Sequence, residues 1–161
     1  MKVTRRTNNY WGGKHAWLDE SGFDDCGVGD GVAGGCAGTR EYATWLEWCF
    51  YAATELDATS LYVMRRHGAL KHIYGESSVA LESAAAYFAT QLRHAEQALQ
   101  DGRPFLIGDR LTTADMLLTT CLTWAVSYGV PITAACRVYM DRITARPTYG
   151  AALAAHAPRT A

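Results

Sequence analysis

The sequence predicts an all-α bundle of about five helices, and three features of the chain support this prediction. Apolar residues recur at helical spacing almost without interruption from Arg40 onward. Glycine and proline interrupt that pattern at a few points and divide it into pieces of helix length. The run MLLTTCLTWAV (116–126) carries no charge, which is typical of a helix at the centre of a domain.

The composition limits the classes of protein to which the chain can belong. Its 161 residues are 49% hydrophobic and 19% charged, which is enough for one domain with a buried core. The net charge of −1 disfavours a nucleic-acid binder that depends on a basic surface. No apolar run reaches the roughly 18 residues of a membrane span, and no apolar signal-peptide region is present. Five irregularly spaced cysteines are expected to be reduced thiols in a cytoplasmic protein.

Residues 1–39 differ in composition from the rest of the chain. They hold nine of the 15 glycines but only five Leu, Ile, Val or Phe residues. Because so little apolar surface cannot offset the entropy lost on ordering this segment, we expect a mostly disordered leader. An out-of-frame reading of a GC-rich gene would also produce such a composition. The helical domain is then expected over 40–156, with a short tail at 157–161.

The first helix is expected from about Arg40 to His67, with Gly68 as its C-cap. Its core stripe follows a 3.6-residue period and consists of Tyr42, Trp45, Leu46, Cys49, Ala53 and Leu56. A second helix is expected from about Ser77 to Gln100. Its stripe consists of Leu81, Ala85, Phe88, Leu92, Ala95 and Leu99. The segment DGRP (101–104) ends this helix, because proline cannot continue it.

The third helix begins at Thr113 and has a complete N-terminal cap. The Thr112 hydroxyl can accept from the backbone N–H of residue 115, and the Asp115 carboxylate can accept from the backbone N–H of Thr112. We therefore assign Thr112 and Asp115 a structural capping role. The uncharged run that follows predicts that this helix is buried on all sides.

Two further helices complete the bundle. The fourth is expected over about Ile132 to Ala145. Its inner face consists of Cys136, Tyr139, Met140 and Ile143. Because Pro147 ends this helix, a short last helix is expected to follow and to reach about His156. Tyr149 and Leu153 are expected to face inward from it.

One segment of the chain resembles a known family. FLIGDRLTTADMLL (105–118) is similar to the signature segment of the C-terminal helical domain of the glutathione S-transferase superfamily, where a turn ending in Gly-Asp precedes an N-capped central helix. The opening helix (40–51), the end of the second helix (98–106) and ARPTYGAAL (145–153) resemble that family in order and spacing. The resemblance covers about residues 39–156 and implies the same helical fold.

The resemblance also implies an activity and a second domain. Members of the family attack apolar electrophiles with the thiolate of glutathione, a co-substrate that binds an N-terminal thioredoxin-like domain. That domain needs a cis-proline, whereas the first proline of this chain is Pro104. We therefore expect a truncated family member. Its helical domain would supply the acceptor-substrate pocket but would bind no glutathione by itself.

The first helix has a second face, opposite the core stripe. It consists of Trp48, Tyr51, Glu55, Thr59, Tyr62 and Arg66. Because a solvated face seldom carries three aromatic residues in line, this face is expected to dock against something. In the family the matching helix borders both the acceptor pocket and the dimer interface, so two interpretations stay open. Trp48, Tyr51 and Tyr62 would contact a second copy, a partner protein or the missing domain. Alternatively, a small apolar electrophile would be held by Tyr51, Tyr62, Glu55 and Arg66.

Other chemistry has little support in the sequence. Cys26 and Cys36, with His15, lack the close ligand pairs of structural zinc, so no metal site is expected. The other three cysteines lie on apolar helix faces and are expected to be inert: Cys49, Cys121 and Cys136. No catalytic residue and no bound cofactor is assigned. The alternative to a transferase is a non-enzymatic interaction or ligand-holding module with the same fold.

Overall fold

The computed structural model describes residues 39–156, which form helices joined by short connections. The helices are α1 (Arg40–Tyr51), a π-helix (Ala52–Leu61), α2 (Tyr62–His67), α3 (Lys71–Tyr74), α4 (Ser78–Leu99), α5 (Thr113–Ser127), α6 (Ala134–Thr144) and α7 (Pro147–His156). No strand occurs within 39–156, so the all-α prediction is confirmed. The one-turn helix α3 is the addition to the five predicted helices. No helix in this range has the length and apolar character needed to cross a membrane.

Some sequence expectations lie outside the described residues. These are the disordered or out-of-frame leader up to residue 38, the tail at 157–161, and the rejection of a metal site at Cys26, Cys36 and His15. They stay predictions.

The first helix runs without a break from Arg40 to His67, as predicted, but its middle is π-helical. In this segment, named here the π segment, the backbone N–H groups donate to the carbonyl five residues earlier. At its end, for example, the N–H of Tyr62 donates to the carbonyl of Asp57. Two side-chain hydroxyls in the π segment also donate to the carbonyl five residues earlier. Thr59 Oγ1 donates to the carbonyl of Thr54 at 2.7 Å, and Ser60 Oγ to that of Glu55 at 3.0 Å.

The π segment makes the predicted core stripe of the first helix partly wrong. A π-turn contains more residues than an α-turn, so a 3.6-residue period falls out of register with the side chains along the π segment. Leu56 is buried as predicted, but Ala53 is exposed and Ala52 is buried in its place. Before the π segment, Trp48 is buried although it belongs to the opposite face. The predicted stripe there is only half-buried: Tyr42, Trp45, Leu46 and Cys49.

The core lies where α4 and α5 pack against the first helix and α6 packs against α4 and α5. α4 begins after Ser77, whose hydroxyl accepts from the backbone N–H of Ala80 at 3.3 Å. Its buried side chains follow the helical period: Ala84, Phe88, Leu92, Ala95 and Leu99. The predicted inner face of α6 is confirmed by the burial of Cys136, Tyr139, Met140 and Ile143.

The prediction that the third helix is buried on all sides was wrong for one face of α5. Leu118, Leu122 and Ala125 are fully buried, but Met116 is 40% and Leu117 is 37% exposed. The physical reason is that the first helix and α6 pack against α5, and no described helix covers this remaining face. A lack of charge therefore indicated an apolar helix, not a helix surrounded by protein.

The inward orientation predicted for Leu153 was also wrong, because this side chain is 59% exposed. Among the described helices, α7 contacts α6, and none of its own residues is buried. Most of its apolar side chains are alanines, which bury too little surface to hold the helix against the core. Tyr149, the other residue predicted to face inward, is half-buried.

Asp115 is fully buried at the start of α5 and accepts four hydrogen bonds. Its Oδ2 accepts from the backbone N–H and the hydroxyl of Thr112, at 2.7 and 2.8 Å, within a capping box. Its Oδ1 accepts from the backbone N–H of Leu106 at 2.8 Å and from the Tyr139 hydroxyl at 2.6 Å. Burial and the nearby carboxylate raise the pKa of Tyr139 far above its usual value, so this phenol remains a donor. One carboxylate thus joins the α4–α5 loop, the cap of α5 and α6.

Thr119 gives a prediction of increased stability. This residue is 1% exposed, and its Oγ1 is buried without a hydrogen-bond partner. Because a buried unpaired hydroxyl costs about 1–3 kcal/mol, Thr119→Val should raise the free energy of unfolding by about 1 kcal/mol, as measured by urea denaturation. Thr123→Val is the control on the same helix, since the Thr123 hydroxyl donates to the carbonyl of Thr120 at 2.8 Å. A loss of stability in Thr119→Val would contradict the prediction.

Candidate functional site

A small open pocket lies between the π segment and α5. Its volume is about 80 Å³, and its eight lining residues are Ala52, Ala53, Asp57, Leu61, Leu117, Thr120, Cys121 and Trp124. The two walls of this pocket, named here the π/α5 pocket, are joined where Cys121 Sγ lies 3.6 Å from the carbonyl oxygen of Ala52. Pockets that enclose a drug-sized ligand measure about 300–1,000 Å³. The π/α5 pocket can therefore hold only part of such a molecule.

Asp57 gives the π/α5 pocket its one carboxylate. The side chain is half-buried, and within residues 39–156 it makes no hydrogen bond and no ion pair within 4 Å. Burial raises the pKa of Asp57, and the positive charge of Arg65 opposes that shift. The Arg65 guanidinium lies over the Trp124 ring, with its carbon 5.7 Å from the ring centroid.

The thiols of the described residues are unsuited to nucleophilic chemistry at neutral pH. Burial raises the pKa of Cys121 in the pocket wall to about 12, so the reactive thiolate form is rare. Burial also raises the pKa of Cys49 and of Cys136. No group of three His, Cys, Asp or Glu residues within 39–156 is arranged to hold a metal ion.

The sequence-predicted docking face of the first helix packs largely against α4, so its expected exposure was wrong at two positions. The ring of Trp48 is buried and stacks on that of His94, with centroids 4.9 Å apart. Tyr51 is half-buried, and its hydroxyl donates to the carbonyl of Gln91 at 2.7 Å. Burial raises the pKa of the Tyr51 phenol well above its usual value. The physical reason is the packing of α4 along this side of the helix, which one sequence does not reveal.

The other members of that face differ in their surroundings. Glu55 is half-buried and accepts a short hydrogen bond from the Tyr87 hydroxyl. Tyr62 is 42% exposed. The Arg66 guanidinium lies 4.5 Å from the centroid of the Tyr74 ring, and its Nε is buried without a hydrogen-bond partner. None of Tyr51, Glu55, Tyr62 and Arg66 lines the π/α5 pocket. The assignment of these four residues to substrate binding stays a prediction.

A second depression of about 290 Å³ lies between the end of α4 and α6. Its two arginines are already engaged within the protein. Arg103 forms an ion pair of 2.7 Å with Asp101, whose pKa this arginine lowers to about 2. Arg142 donates to the backbone carbonyl of Arg103 at 2.9 Å. These contacts indicate that the arginines hold the α4–α5 loop against α6.

Comparison with protein families identifies the helical region. Residues 78–155, from α4 to α7, match the family described as Glutathione S-transferase, C-terminal domain. The chain contains a glutathione S-transferase C-terminal domain. The match includes the capped helix α5, and it confirms the resemblance carried by FLIGDRLTTADMLL (105–118). No curated protein is significantly similar to the chain.

Glutathione is the co-substrate that a match to the glutathione S-transferase family implies. The lining of the π/α5 pocket does not suit glutathione itself. Besides its one ammonium group, glutathione carries two carboxylates, which call for cationic groups or clustered N–H donors. None of the eight lining residues is Lys, Arg or His, and Asp57 adds a charge of the same sign. The lining instead suits an apolar molecule.

Sequence reasoning missed the main residues of the π/α5 pocket: Asp57, Leu61, Leu117 and Trp124. Asp57 was missed because it belongs to neither the predicted core stripe nor the predicted docking face of the first helix. Leu117 and Trp124 were assigned to a buried helix together with their neighbours. The sequence did contain one indication of the pocket: α5 has more apolar residues than a single buried face requires.

Proposed function

We propose that this helical domain supplies one wall of an acceptor-substrate pocket for glutathione conjugation, and that the π/α5 pocket is this wall. The observation that carries the proposal is its apolar lining, open to solvent, in a domain of this family. Leu117 and Trp124 present apolar surface that would be removed from water when an electrophile binds.

The proposed division of labour assigns only binding to this domain. The electrophile rests on the apolar wall while the glutathione thiolate, held elsewhere, attacks its electrophilic carbon. A carbon–sulfur bond forms, and the leaving group departs with the electron pair of the broken bond. The described thiols support this division, because burial disfavours their thiolate forms.

Leu117 allows a direct test of the pocket. Leu117→Ser should weaken the binding of N-phenyl-1-naphthylamine, a neutral apolar dye, about fivefold, because the apolar contact area of one side chain is lost. The stability should change little, since Leu117 is already 37% exposed. Dye fluorescence measures the Kd, and circular dichroism checks the fold. Leu153→Ser on α7 is the control, because Leu153 is exposed outside the pocket. An unchanged Kd in Leu117→Ser would reject the pocket as the binding wall.

A titration with glutathione tests the proposal that the glutathione thiolate is held outside this domain. Calorimetric titration of the purified chain with glutathione, up to millimolar concentration, should give no saturable heat. Saturable binding would show that residues given a structural role build a glutathione site, and the division of labour would be wrong.

A non-enzymatic interaction module is the second candidate function, and exposed apolar side chains favour it. Phe50 on α1 is 64% exposed, and Met116 and Leu117 on α5 are 40% and 37% exposed. Binding of a second copy or of a partner protein would remove these apolar side chains from water. The two functions are distinguished by light scattering. A stable dimer in which the dye no longer binds would favour the interaction module, whereas a monomer that binds dye would favour the acceptor pocket.

A further inference from the structure

We propose that the π/α5 pocket selects its ligands by charge and prefers a small organic cation, an ammonium group on a short apolar body, over neutral or anionic molecules of the same shape. This inference rests on the proposed function of the pocket as a ligand-binding wall. It goes further by naming the class of ligand and the residue that selects it.

The first argument is that the Asp57 carboxylate lines the pocket without a direct hydrogen-bond donor from residues 39–156. The half-buried side chain has lost part of its hydration, and the charge of Arg65 offsets this loss only partly, since burial still raises the pKa of Asp57. A primary ammonium group offers three donors and the opposite charge. Such a ligand would supply what the carboxylate lacks.

The second argument is the Trp124 ring. Its face already attracts a cation, since the Arg65 guanidinium carbon lies 5.7 Å from the ring centroid. Arg65 is not among the lining residues, and the lining contains no Lys, Arg or His. The charged group nearest to a ligand inside the pocket is therefore the carboxylate of Asp57. An anion would meet this carboxylate and no cationic lining residue.

The third argument is size. An engineered apolar cavity of about 150 Å³ holds benzene, whereas the π/α5 pocket measures about 80 Å³. An aliphatic chain of about four carbons would fit within this space, whereas an aromatic ring would extend beyond its open mouth. The apolar side chains of Leu61 and Leu117 would contact the chain, and the ammonium group would lie at Asp57.

The test uses three probes with the same body: butylammonium, butanol and butyrate. Each is titrated into the ¹⁵N-labelled full chain while the indole N–H resonance of Trp124 is followed by NMR. Butylammonium should bind about three- to tenfold more tightly than butanol, and butyrate more weakly than butanol. Asp57→Asn, which keeps the shape of the side chain, should reduce the affinity for butylammonium to that for butanol. Asp141→Asn is the control, because Asp141 is exposed on α6 and does not line the pocket.

Arg65→Gln provides a second variant should Asp57→Asn fail to fold. Removal of the guanidinium leaves Asp57 and the Trp124 ring without their nearby cation, so butylammonium should bind a few-fold more tightly than to the unsubstituted chain.

Two results would overturn the inference in different ways. Equal binding of the three probes, or the tightest binding by butyrate, would reject charge selection but leave the pocket as a binding wall. A Trp124 resonance that none of the probes shifts, together with no binding of the neutral dye, would reject the inference and the proposed function together.

Discussion

Replacement of Asp115 with alanine is expected to lower the free energy of unfolding by about 4 kcal/mol. The substitution removes the carboxylate that accepts from Thr112, Leu106 and Tyr139. Loss of an N-terminal cap alone costs about 1 kcal/mol. The larger part comes from buried donors left without an acceptor, each of which costs about 1–3 kcal/mol. The midpoint of thermal unfolding should fall by about 15 °C.

The Asp115 experiment needs controls for charge and for capping. Asp141→Ala removes an exposed carboxylate and should change the stability by at most about 0.5 kcal/mol. Ser77→Ala removes the side-chain cap of α4 and should cost about 1 kcal/mol. Tyr139→Phe keeps the ring but removes one donor to Asp115, with an expected cost of about 1–2 kcal/mol. An Asp115→Ala variant no less stable than Ser77→Ala would show that Asp115 acts only as a helix cap.

Replacement of Phe88 with alanine should also lower the free energy of unfolding by about 4 kcal/mol. Phe88 lies in the middle of α4 and is 0% exposed. The loss combines the apolar surface of the ring with the cavity that remains, because the surrounding helices relax only partly. Urea denaturation with a constant m-value would measure it.

Val79→Ala is the matched control for Phe88→Ala on the same helix. Val79 is 75% exposed, so its truncation should change the stability by less than about 0.5 kcal/mol. A cost below about 2 kcal/mol for Phe88→Ala would contradict the fold described, since it would require that α4 does not pack on the core through this residue.

The sequence predicted the helices best where one period and one cap describe the whole element. α4 and α6 have buried faces that a 3.6-residue period identifies, and Thr112 marks the start of α5. The capping partner of Asp115 was predicted from spacing alone. The hydrogen bonds of Asp115 to Leu106 and Tyr139 were not predicted, because they depend on how the loop and α6 return to α5.

The sequence predicted the candidate site poorly, for two physical reasons. Hydrophobic periodicity assumes α-helical geometry, so it loses register along the π segment, which begins at Ala52. Periodicity also shows which side chains are apolar, but not which helix covers them. Trp48 was therefore expected to be exposed and is buried, whereas Leu117 was expected to be buried and is exposed.

The π segment has a consequence for insertions and deletions. With the i→i+5 hydrogen bonding kept, loss of one residue between Ala53 and Thr59 would turn every later side chain of this helix by nearly a quarter of a turn. Leu61 and Met64, which are 0% and 5% exposed, would both leave their places in the core. The π segment is therefore constrained in its number of residues as well as in their identity. A surface loop differs, because its flexible backbone absorbs a change of length. Related chains that keep this pocket should preserve the spacing from Ala52 to Leu61 even where the residues between them differ.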